Sequence, residues 1–374
     1  MEKKPYIKSH IIVDLGFGDS GKGITTDFIV KTYLNPIVIR FSGGQQCGHG
    51  VMVDGTKHIH SNFGSGTLRG APTYFSEHAT FYPATIAREL KVLREKGFQP
   101  KLSFHPLAKM TTPFDVFANR FDSQNLQNGS CGLGIGKTMK RDESPFKLYA
   151  IDLLNIDTLK QKLGGIKDNY YAINESSPRF KIIQDDIDDF MEAITDIAWD
   201  IQNYDYLLDF NNLIFEGSQG ILLDMDHGVF PNVTYANTTS KNAHEILDKL
   251  KVHNRNLYYV TRCYSTRHGS GPFVEEELNL INNEEEINVF NKYQKEFKVA
   301  SINYDLLNHA LRIDSIYSNH NITTQNLVVT CLDQLPDFNF DYSKIYKNFN
   351  KIIESYSPDN KDFKIITNEG NIKS

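Results

Sequence analysis

Cysteine is scarce in this sequence, and its four cysteines lie far apart along the chain. They form neither a Cys-x-x-Cys pair nor a disulfide framework, so reduced thiols are expected. Long apolar runs are also lacking, because none approaches the roughly 20 residues that span a bilayer. The opening segment MEKKPYIKSH has no apolar stretch of the signal-peptide kind. We therefore expect a cytoplasmic protein with no membrane partner. The cysteines are Cys47, Cys131, Cys263 and Cys331.

An excess of positive charge is absent as well. The chain has 40 Lys and Arg against 46 Asp and Glu, a formal net charge of -6. This balance argues against a nucleic-acid-binding surface as the main feature, and it favours small-molecule substrates. With 374 residues, 40% of them hydrophobic, the chain can bury a large core. We find no internal repeat and no clear linker, and we predict a single α/β domain over residues 1–374 with inserted helical subregions.

Short β-rich runs alternate with helical patterns along the chain. IIVDL is followed by a helix over about residues 23–33, then by IVIRF, a glycine-rich turn and a helix over about 83–96. LIFEG, LYYVTRCYS and LVVTCLDQL resemble further strands, and apolar spacing predicts another helix within 183–207. This alternation predicts an α/β fold in which helices flank a central, mostly parallel sheet that binds ligands at its carboxyl edge. The acidic run 284–286 is expected on a solvated helix face.

The glycine-rich loop after the first strand carries the strongest chemical signal. IIVDLGFGDSGKG, residues 11–23, fits the G-x-x-x-x-G-K pattern, in which backbone N–H groups and Lys22 face phosphate oxygens. Gly23 stands where such loops place the Ser or Thr that ligates Mg²⁺. Asp19 is the obvious substitute, because magnesium prefers oxygen ligands. A tight strand-to-helix turn without a ligand is the alternative.

Two further glycine-rich segments are candidates for ligand contact. FSGGQQCGHG, residues 41–50, holds His49 among small residues that let a ligand approach the backbone. Because histidine titrates near neutrality, His49 can donate a proton to a phosphate or carbonyl oxygen, although an ordinary turn histidine is the alternative. GSCGLGIGK, residues 129–137, has the composition of another nucleotide loop or of a mobile surface turn.

The longest polar cluster covers residues 215–240 and begins with a strand. Gln219 lies at the end of that strand, where ligands gather in sheets of this kind. Three residues of metal-ligand type follow: Asp224, Asp226 and His227. They fit a metal site or, more commonly, turn and capping interactions. Further along, in YSTRHGSGPF, Arg267 is a candidate partner for an anion.

In their order and spacing, these segments resemble the signature motifs of the adenylosuccinate synthetase family, including phage relatives that make 2-aminoadenylosuccinate. The motifs are GFGDSGKG, RFSGGQQCGHG, GSCGLGIGK, FEGSQGILLDMDHG with PNVTYANTT, and YSTRHGSGPF. The resemblance implies that family's P-loop-like fold, Mg²⁺ as cofactor and a homodimer. It also implies a two-step ligation. GTP phosphorylates the 6-oxygen of a purine nucleoside monophosphate, and the amine of aspartate then displaces the phosphate.

The resemblance also implies roles for individual residues. Asp19 would act as general base on purine N1 and, together with the backbone carbonyl of Gly48, as a magnesium ligand. His49 would assist phosphoryl transfer beside Lys22, and Gln219 would contact the purine 6-oxygen. The residues implied in nucleotide binding are Gly18, Ser20, Gly21, Gly23, Gln46, Cys131, Thr234, Arg267, Asp333 and Ser355.

The departures from the family pattern fall on residues that choose substrates. Ser20, Gln46 and Cys131 stand where the family usually has glutamate, asparagine and threonine, so acceptors other than IMP are open. The family's guanine-binding T-K-L-D is TCLD here. Asp333 can still accept hydrogen bonds from guanine, but Cys331 replaces the stacking lysine. GTP and ATP are therefore both candidate phosphoryl donors.

The loop that clamps the aspartate carboxylates in the family is reduced here to KVASIN, before a helix near Asp305. Bidentate arginine is the usual means of holding a carboxylate. Either the alignment is shifted or another amine replaces aspartate, with Lys298 or Arg267 as partial substitutes for the lost contacts. The arginine that the family contributes across its dimer interface has three neighbouring candidates: Lys140, Arg141 and Lys147. A nucleotide-binding regulatory protein without ligase activity is a further possibility.

Overall fold

The structure is a computed structural model that describes residues 6–122, 124, 127–174, 184–284, 286, 288, 296–318 and 322–367. Its strands are β1 (Lys8–Asp14), β2 (Pro36–Arg40), β3 (His49–Val53), β4 (Thr56–His60), β5 (Thr73–Phe75), β6 (Thr80–Phe81), β7 (Leu102–Phe104), β8 (Lys109–Met110), β9 (Asp200–Ile201), β10 (Asn212–Gly220), β11 (Asn254–Arg262), β12 (Ser265–His268), β13 (Phe297–Ala300), β14 (Thr324–Thr330), β15 (Lys351–Ser355) and β16 (Phe363–Thr367). Its helices are α1 (Lys22–Thr32), α2 (Pro83–Glu95), α3 (Pro113–Phe121), α4 (Ile135–Asp142), α5 (Ile156–Asn174), α6 (Gln184–Asp196), α7 (Lys241–Leu250) and α8 (Tyr304–Ser318).

Ten of these strands form one sheet in the order β16-β15-β14-β11-β1-β10-β2-β5-β7-β9. Neighbouring strands in it run parallel, except that β15 and β16 are antiparallel. The predicted α/β fold with a mostly parallel central sheet flanked by helices is thus confirmed. β1 lies between β10 and β11, so the carboxyl ends of three strands meet beside the loop of residues 15–21, the predicted phosphate-binding loop.

Side chains of β1 alternate between two hydrophobic clusters, as the two-residue period of a strand requires. Ile11 and Val13 pack into a cluster that includes residues of α7 and α8. Ile12 packs on the other face, against Ile29 and Val30 of α1. Helices therefore cover both faces of the strand, which explains why a nearly continuous apolar run is buried there. No helix in the described residues is both long and apolar enough to cross a membrane.

Two predictions from the sequence are wrong in part. The helix predicted within 183–207 ends at Asp196, because the chain then forms β9 beside β7 and a 3-10 turn over Tyr204–Asp209. The solvated helix face predicted for 284–286 is wrong at Glu286, which lies in none of the described helices. Its mostly buried carboxylate accepts a hydrogen bond from Arg262 at 2.6 Å, since a buried guanidinium needs a counter-charge. Residues 183 and 285 lie outside the described residues.

Candidate active site

Two cavities beside the phosphate-binding loop share a wall. The larger has a volume of about 530 Å³ and the smaller of about 150 Å³. Among the described residues, those that line both are Asp19, Gly48, His49 and Asn288. Two ligand sites that meet at a carboxylate and an imidazole suit the transfer of a group between two bound molecules.

The phosphate-binding loop is held by a buried carboxylate of its own strand. Asp14 Oδ2 accepts from Nζ of Lys22 at 2.8 Å, and Asp14 Oδ1 accepts from the Ser20 hydroxyl at 2.9 Å. Burial alone would raise the pKa of Asp14, but Lys22 and the hydrogen bonds hold it below its ordinary value, so the group stays ionised. Ser20 was predicted to contact the nucleotide. It instead packs behind the loop and is absent from the described lining of either cavity.

Asp19 occupies an unusual backbone conformation where the two cavities meet. Its φ of 60° lies in the left-handed region that residues with a side chain rarely adopt. Nε of Arg262 donates to the Asp19 carbonyl at 2.6 Å and holds this conformation. Burial raises the pKa of the Asp19 carboxyl group, and the nearby charges of Lys22 and Arg262 offset only part of that rise. A carboxylate with increased proton affinity suits a general base.

His49 is oriented by a buried carboxylate. Its Nδ1 lies 2.9 Å from Oε1 of Glu216 on β10, while its Nε2 has no hydrogen-bond partner among the described residues. Glu216 also accepts from the Ser65 hydroxyl and, at 3.4 Å, from Arg40. Burial alone would raise the pKa of Glu216, yet its charged and hydrogen-bonding partners lower it to about 2. The carboxylate therefore stays charged and fixes the imidazole, whose Nε2 is left for a ligand.

The larger cavity collects most of the residues predicted at the purine nucleotide: Gly18, Gln46, Cys131, Gln219 and Thr234. Nε2 of Gln46 donates to Oε1 of Gln219 at 3.2 Å, which couples the two amides at the cavity wall. Residues of the third glycine-rich segment, 129–137, also line the cavity, so this segment faces a potential ligand site. Burial raises the pKa of the Cys131 thiol to about 11, so this cysteine presents a neutral S–H.

The smaller cavity collects the phosphate-binding loop and the TCLD segment. Its lining includes the predicted residues Gly21, Lys22, Gly23 and Asp333, together with Arg262 and Glu286. Ser355 lies one layer behind. Its hydroxyl donates to the Ser357 carbonyl at 3.2 Å, and Ser357 lines the cavity. Ser355 thus supports the wall of the smaller cavity, and its contact with a nucleotide stays a prediction.

Arg267, predicted to contact a bound anion, makes most of its described hydrogen bonds within its own turn. Its guanidinium donates to the backbone carbonyls of Ser270 at 2.8 Å and Pro272 at 3.3 Å, within its own turn. It also lies over the ring of Phe17, 4.2 Å from the centroid. Through these contacts the Arg267 side chain stabilises a glycine-rich turn. Neither Arg267 nor Lys298 is among the described residues that line the cavities.

Hydrogen bonds also decide the roles of Asp224 and Arg141. Asp224 Oδ1 accepts from the backbone N–H of Asp226 and Oδ2 from that of Thr238, so this carboxylate caps a turn, as the commoner interpretation predicts. Arg141 is buried and donates to Asp115 at 3.0 Å. Its guanidinium is therefore not exposed for contact with a partner chain.

Gly220 permits close approach between β10 and the phosphate-binding loop. A Cβ at Gly220 would lie 2.1 Å from the Gly16 carbonyl oxygen and 2.4 Å from the Gly18 nitrogen. Gly220→Ala is expected to lower the free energy of unfolding by about 1–3 kcal/mol, because the backbone must shift. Urea denaturation measures this change, and calorimetry is expected to show weaker nucleotide binding.

Gly164→Ala is the matched control for this substitution. The position is exposed within α5 and has open space around it, so alanine there is expected to be neutral or stabilising by up to about 1 kcal/mol. Equal stability of Gly220→Ala and the wild-type protein contradicts the packing argument.

Several charged or polar residues of the site belong to none of the predicted roles: Asp14, Arg40, Glu216, Arg262, His268 and Asn288. A signal existed for those on strands, because a charged residue inside an otherwise apolar buried strand is rare unless it is paired. Asp14 ends IIVD, Glu216 follows LIF, and Arg262 follows VT. His268 ends the short strand β12 and Asn288 lies outside the described helices and strands, so neither stands in an apolar buried strand that would give a comparable signal.

Comparison with known proteins identifies relatives of one kind. A family model described as adenylosuccinate synthetase matches residues 11–366. The adenylosuccinate synthetase of Chromohalobacter salexigens is 28% identical over 282 residues, which are 72% of this chain and 65% of that protein. That of Pasteurella multocida is 29% identical over 293 residues, 74% and 67% of the two chains. The chain thus matches about two thirds of the length of these curated relatives.

Two solved structures share the fold. The fully ligated adenylosuccinate synthetase from Plasmodium falciparum has a TM-score of 0.68 at 19% identity, covering 92% of this chain and 79% of that chain. The succinoaminodeoxyadenylate synthetase (PurZ) of cyanophage S-2L, bound to dGMP and to dATP as an energy donor, has a TM-score of 0.66 at 14% identity. It covers 96% of this chain and 95% of that chain. At these identities the similarity concerns the fold alone.

Proposed function

The chain belongs to the adenylosuccinate synthetase family, and from this premise we propose that it is a Mg²⁺-dependent purine nucleotide ligase. It phosphorylates the purine 6-oxygen and then joins an amine at that carbon. The observation that carries the proposal is the meeting of two cavities at Asp19, Gly48 and His49. We assign the purine monophosphate to the larger cavity and the triphosphate to the smaller one, because Lys22 lines the latter.

In the first step, Asp19 removes the proton from purine N1 and the 6-oxygen attacks the γ-phosphorus. The bond from that phosphorus to the bridging oxygen breaks, and the nucleoside diphosphate leaves. Nε2 of His49 donates a hydrogen bond to the transferring phosphoryl group, and Lys22 stabilises its charge. Gln219 contacts the 6-oxygen. Phosphorylation is needed because the 6-oxo group is otherwise a poor leaving group.

Mg²⁺ fits this site on the chemistry of its donors. The Asp19 carboxylate and the Gly48 carbonyl are hard oxygen ligands at the junction of the cavities, as magnesium prefers. When bound, the ion would neutralise charge on the phosphate oxygens.

In the second step, the amine attacks C6 and phosphate leaves with the 6-oxygen. Aspartate is the amine donor by family analogy. Without the arginine-rich loop, we propose that its carboxylates are held by Lys140 and His268, which line the larger cavity. Lys140 lies 5.2 Å from the ring centroid of Tyr235. Neither forms a bidentate pair as arginine does, so weak aspartate binding is expected.

The identities of the two nucleotides follow from the residues that differ from the family. Gln46 and Cys131 line the larger cavity, to which we assign the purine nucleotide, and their difference from the family supports an acceptor other than IMP. Since the S-2L protein is described as bound to dGMP and dATP, dGMP with ATP is the first pair to test. Asp333 in the smaller cavity keeps GTP as the other donor, because its carboxylate can accept from guanine.

We retain the homodimer and the cytoplasmic location as proposals drawn from the family. With Arg141 buried, Lys140 and Lys147 stay as candidates for the residue offered to a partner. Lys147 is exposed, whereas Lys140 lines the cavity of its own chain. Lys147 is therefore the better candidate for a contact across the interface.

A matrix of substrates tests the proposal. IMP, dIMP, GMP and dGMP are each combined with GTP or ATP, with and without aspartate, and phosphate release is measured with Mg²⁺ present. We expect release that requires both a purine monophosphate and aspartate. Mass spectrometry is expected to find a product equal to the nucleotide plus aspartate minus water.

Each other outcome has a distinct meaning. Phosphate release that needs the nucleotide but not aspartate supports another amine, or water, as the second reactant. Nucleotide binding by calorimetry without turnover in any combination contradicts the ligase and favours a regulatory nucleotide-binding protein.

A further inference from the structure

A second cluster of polar side chains lies outside both cavities, between β4 and α2. We propose that His58, His60 and Glu89 form a binding site for a divalent cation of the zinc class, distinct from the magnesium position at Asp19. Their ligating atoms all lie within 4.8 Å of one another. The inference does not rest on the proposed ligase activity.

The strand and the helix bring three ligand atoms to one point. His58 and His60 are two residues apart on β4, so they project from the same face, and their ring centroids are 4.6 Å apart. Nε2 of His58 lies 3.3 Å from Oε1 of Glu89, and Nδ1 of His60 lies 4.0 Å from the same oxygen. Both imidazoles thus converge on one carboxylate oxygen.

His60 supplies the observation that points to a ligand. The side chain is completely buried, yet neither Nδ1 nor Nε2 has a hydrogen-bond partner among the described residues. Buried polar atoms are nearly always paired, and an unpaired one calls for an explanation such as an ion.

Glu89 is held in place by hydrogen bonds behind the cluster. Oε2 accepts from the backbone N–H of Asn62 at 2.7 Å and from its side-chain amide at 2.8 Å. The backbone N–H of Ser61 donates to Oε1 at 3.2 Å. Partners of this kind orient the ligands of metal sites and keep a carboxylate ionised. The orientation of Glu89 is therefore set before any ion binds.

The donor set selects the metal. Two imidazole nitrogens and one carboxylate oxygen, with a water in the fourth position, form a common zinc ligand set. Magnesium is disfavoured, because it prefers oxygen donors in octahedral geometry. Lys96 lies 3.4 Å from Nδ1 of His58 but also donates to the Lys57 carbonyl at 2.6 Å. Lys96 is exposed, so its side chain can move away from Nδ1 of His58. When Nε2 of a neutral histidine binds a metal, Nδ1 carries the proton.

The position of the cluster links it to the candidate active site. His60 pairs with His49 across the β3–β4 hairpin. Ile59, on the opposite face of β4, lines the larger cavity. An ion bound at the cluster would link this hairpin to α2. It would thereby limit the motion of β3, the strand that carries His49.

Metal binding to the purified full chain, with any affinity tag removed and bound metal stripped with a chelator, tests the site. Zn²⁺ is titrated in competition with a chromophoric chelator, and Co²⁺ is added separately. We expect one tightly bound ion per chain and the intense visible absorption of four-coordinate Co²⁺. His58→Gln and His60→Gln are expected to weaken Zn²⁺ binding at least 100-fold. Asn62→Ala is expected to weaken it by about 10–100-fold, because it removes a partner of Glu89.

His244→Gln is the matched control. His244 is another buried histidine with an unpartnered Nε2, and it lies on α7 away from the cluster. It is expected to leave Zn²⁺ affinity unchanged, and circular dichroism checks that every variant folds. If His60→Gln fails to fold, Glu89→Gln provides the same comparison. Equal Zn²⁺ affinity of the wild-type and cluster variants, or no stoichiometric binding by the wild type, overturns the proposal.

Discussion

Asp19→Asn is expected to reduce the rate of phosphoryl transfer by about 10²–10⁴-fold, the usual contribution of a positioned general base. Asparagine keeps the size of the side chain and tolerates the φ of 60° at this position. It lacks the negative charge that accepts the N1 proton and contributes to Mg²⁺ binding. Single-turnover formation of the nucleoside diphosphate measures the effect.

The control for this substitution is Asp54→Asn. Asp54 is exposed and has a φ of 47°, so it shares the backbone conformation of Asp19 without touching either cavity. We expect it to leave the rate unchanged. Calorimetry is expected to show that Asp19→Asn still binds the purine monophosphate. An unchanged rate of phosphoryl transfer in Asp19→Asn contradicts the assignment of Asp19 as the general base.

Glu216→Gln is expected to weaken both stability and turnover. The carboxylate is completely buried beside Arg40 and His49, so its loss leaves an uncompensated buried charge. Breaking such a pair costs about 3–5 kcal/mol. Because Glu216 acts through His49, it is a positioning residue. Its loss is expected to lower kcat more than it raises KM.

The pH dependence of stability separates this charge effect from a packing effect. The pKa of Glu216 falls from its ordinary 4.5 to about 2 on folding. A depressed carboxyl pKa stabilises the fold above the pKa of the unfolded chain, and the contribution is lost as pH falls toward the folded value. The difference in unfolding free energy between wild type and Glu216→Gln is therefore expected to be constant above about pH 5 and to shrink as pH falls toward 2.

Urea denaturation at several pH values measures this difference, with Glu192→Gln as the control. Glu192 is an exposed glutamate on α6, and its replacement is expected to change stability by less than about 0.5 kcal/mol. A difference between wild type and Glu216→Gln that is independent of pH contradicts the buried-ion explanation.

Local signals in the sequence account for the predictions that succeeded. The spacing of glycines and Lys22 after an apolar run predicts a strand, a tight loop and a helix start within residues 11–23, and the structure confirms them as β1, the loop and α1. The helix prediction within 183–207 is wrong beyond Asp196, because there a contact distant in sequence decides the structure. Apolar spacing continues there, but pairing of Ile201 with Phe104 turns the segment into a strand. That pairing partner is distant in the sequence.

The predictions for the cavity residues also divide into those that local sequence signals support and those that depend on distant contacts. Gln219 and His49 lie in segments whose composition predicts ligand contact, and both line a cavity, whereas Arg267 has the residue type of an anion partner but is absent from the described lining of both cavities. The guanidinium of Arg267 donates to a backbone carbonyl of its own turn. The residue composition of the segment does not indicate this contact. Glu216 is the converse case. It was not predicted, although it sets the orientation of His49.

Sequence alone therefore determined the α/β class, the strand–loop–helix at residues 11–23 and the choice of Asp19, Lys22 and His49 as candidates, because strand, turn and helix preferences are local. Tertiary structure decided which groups act on them. Glu216 is 167 residues from His49, and Arg262 is 243 residues from Asp19. Arg262 reaches Asp19 because β11 and β1 are neighbours in the ten-stranded sheet, whereas His49 reaches Glu216 of β10 from the separate β3–β4 hairpin. Strand order depends on packing over the whole chain, and no local pattern encodes it.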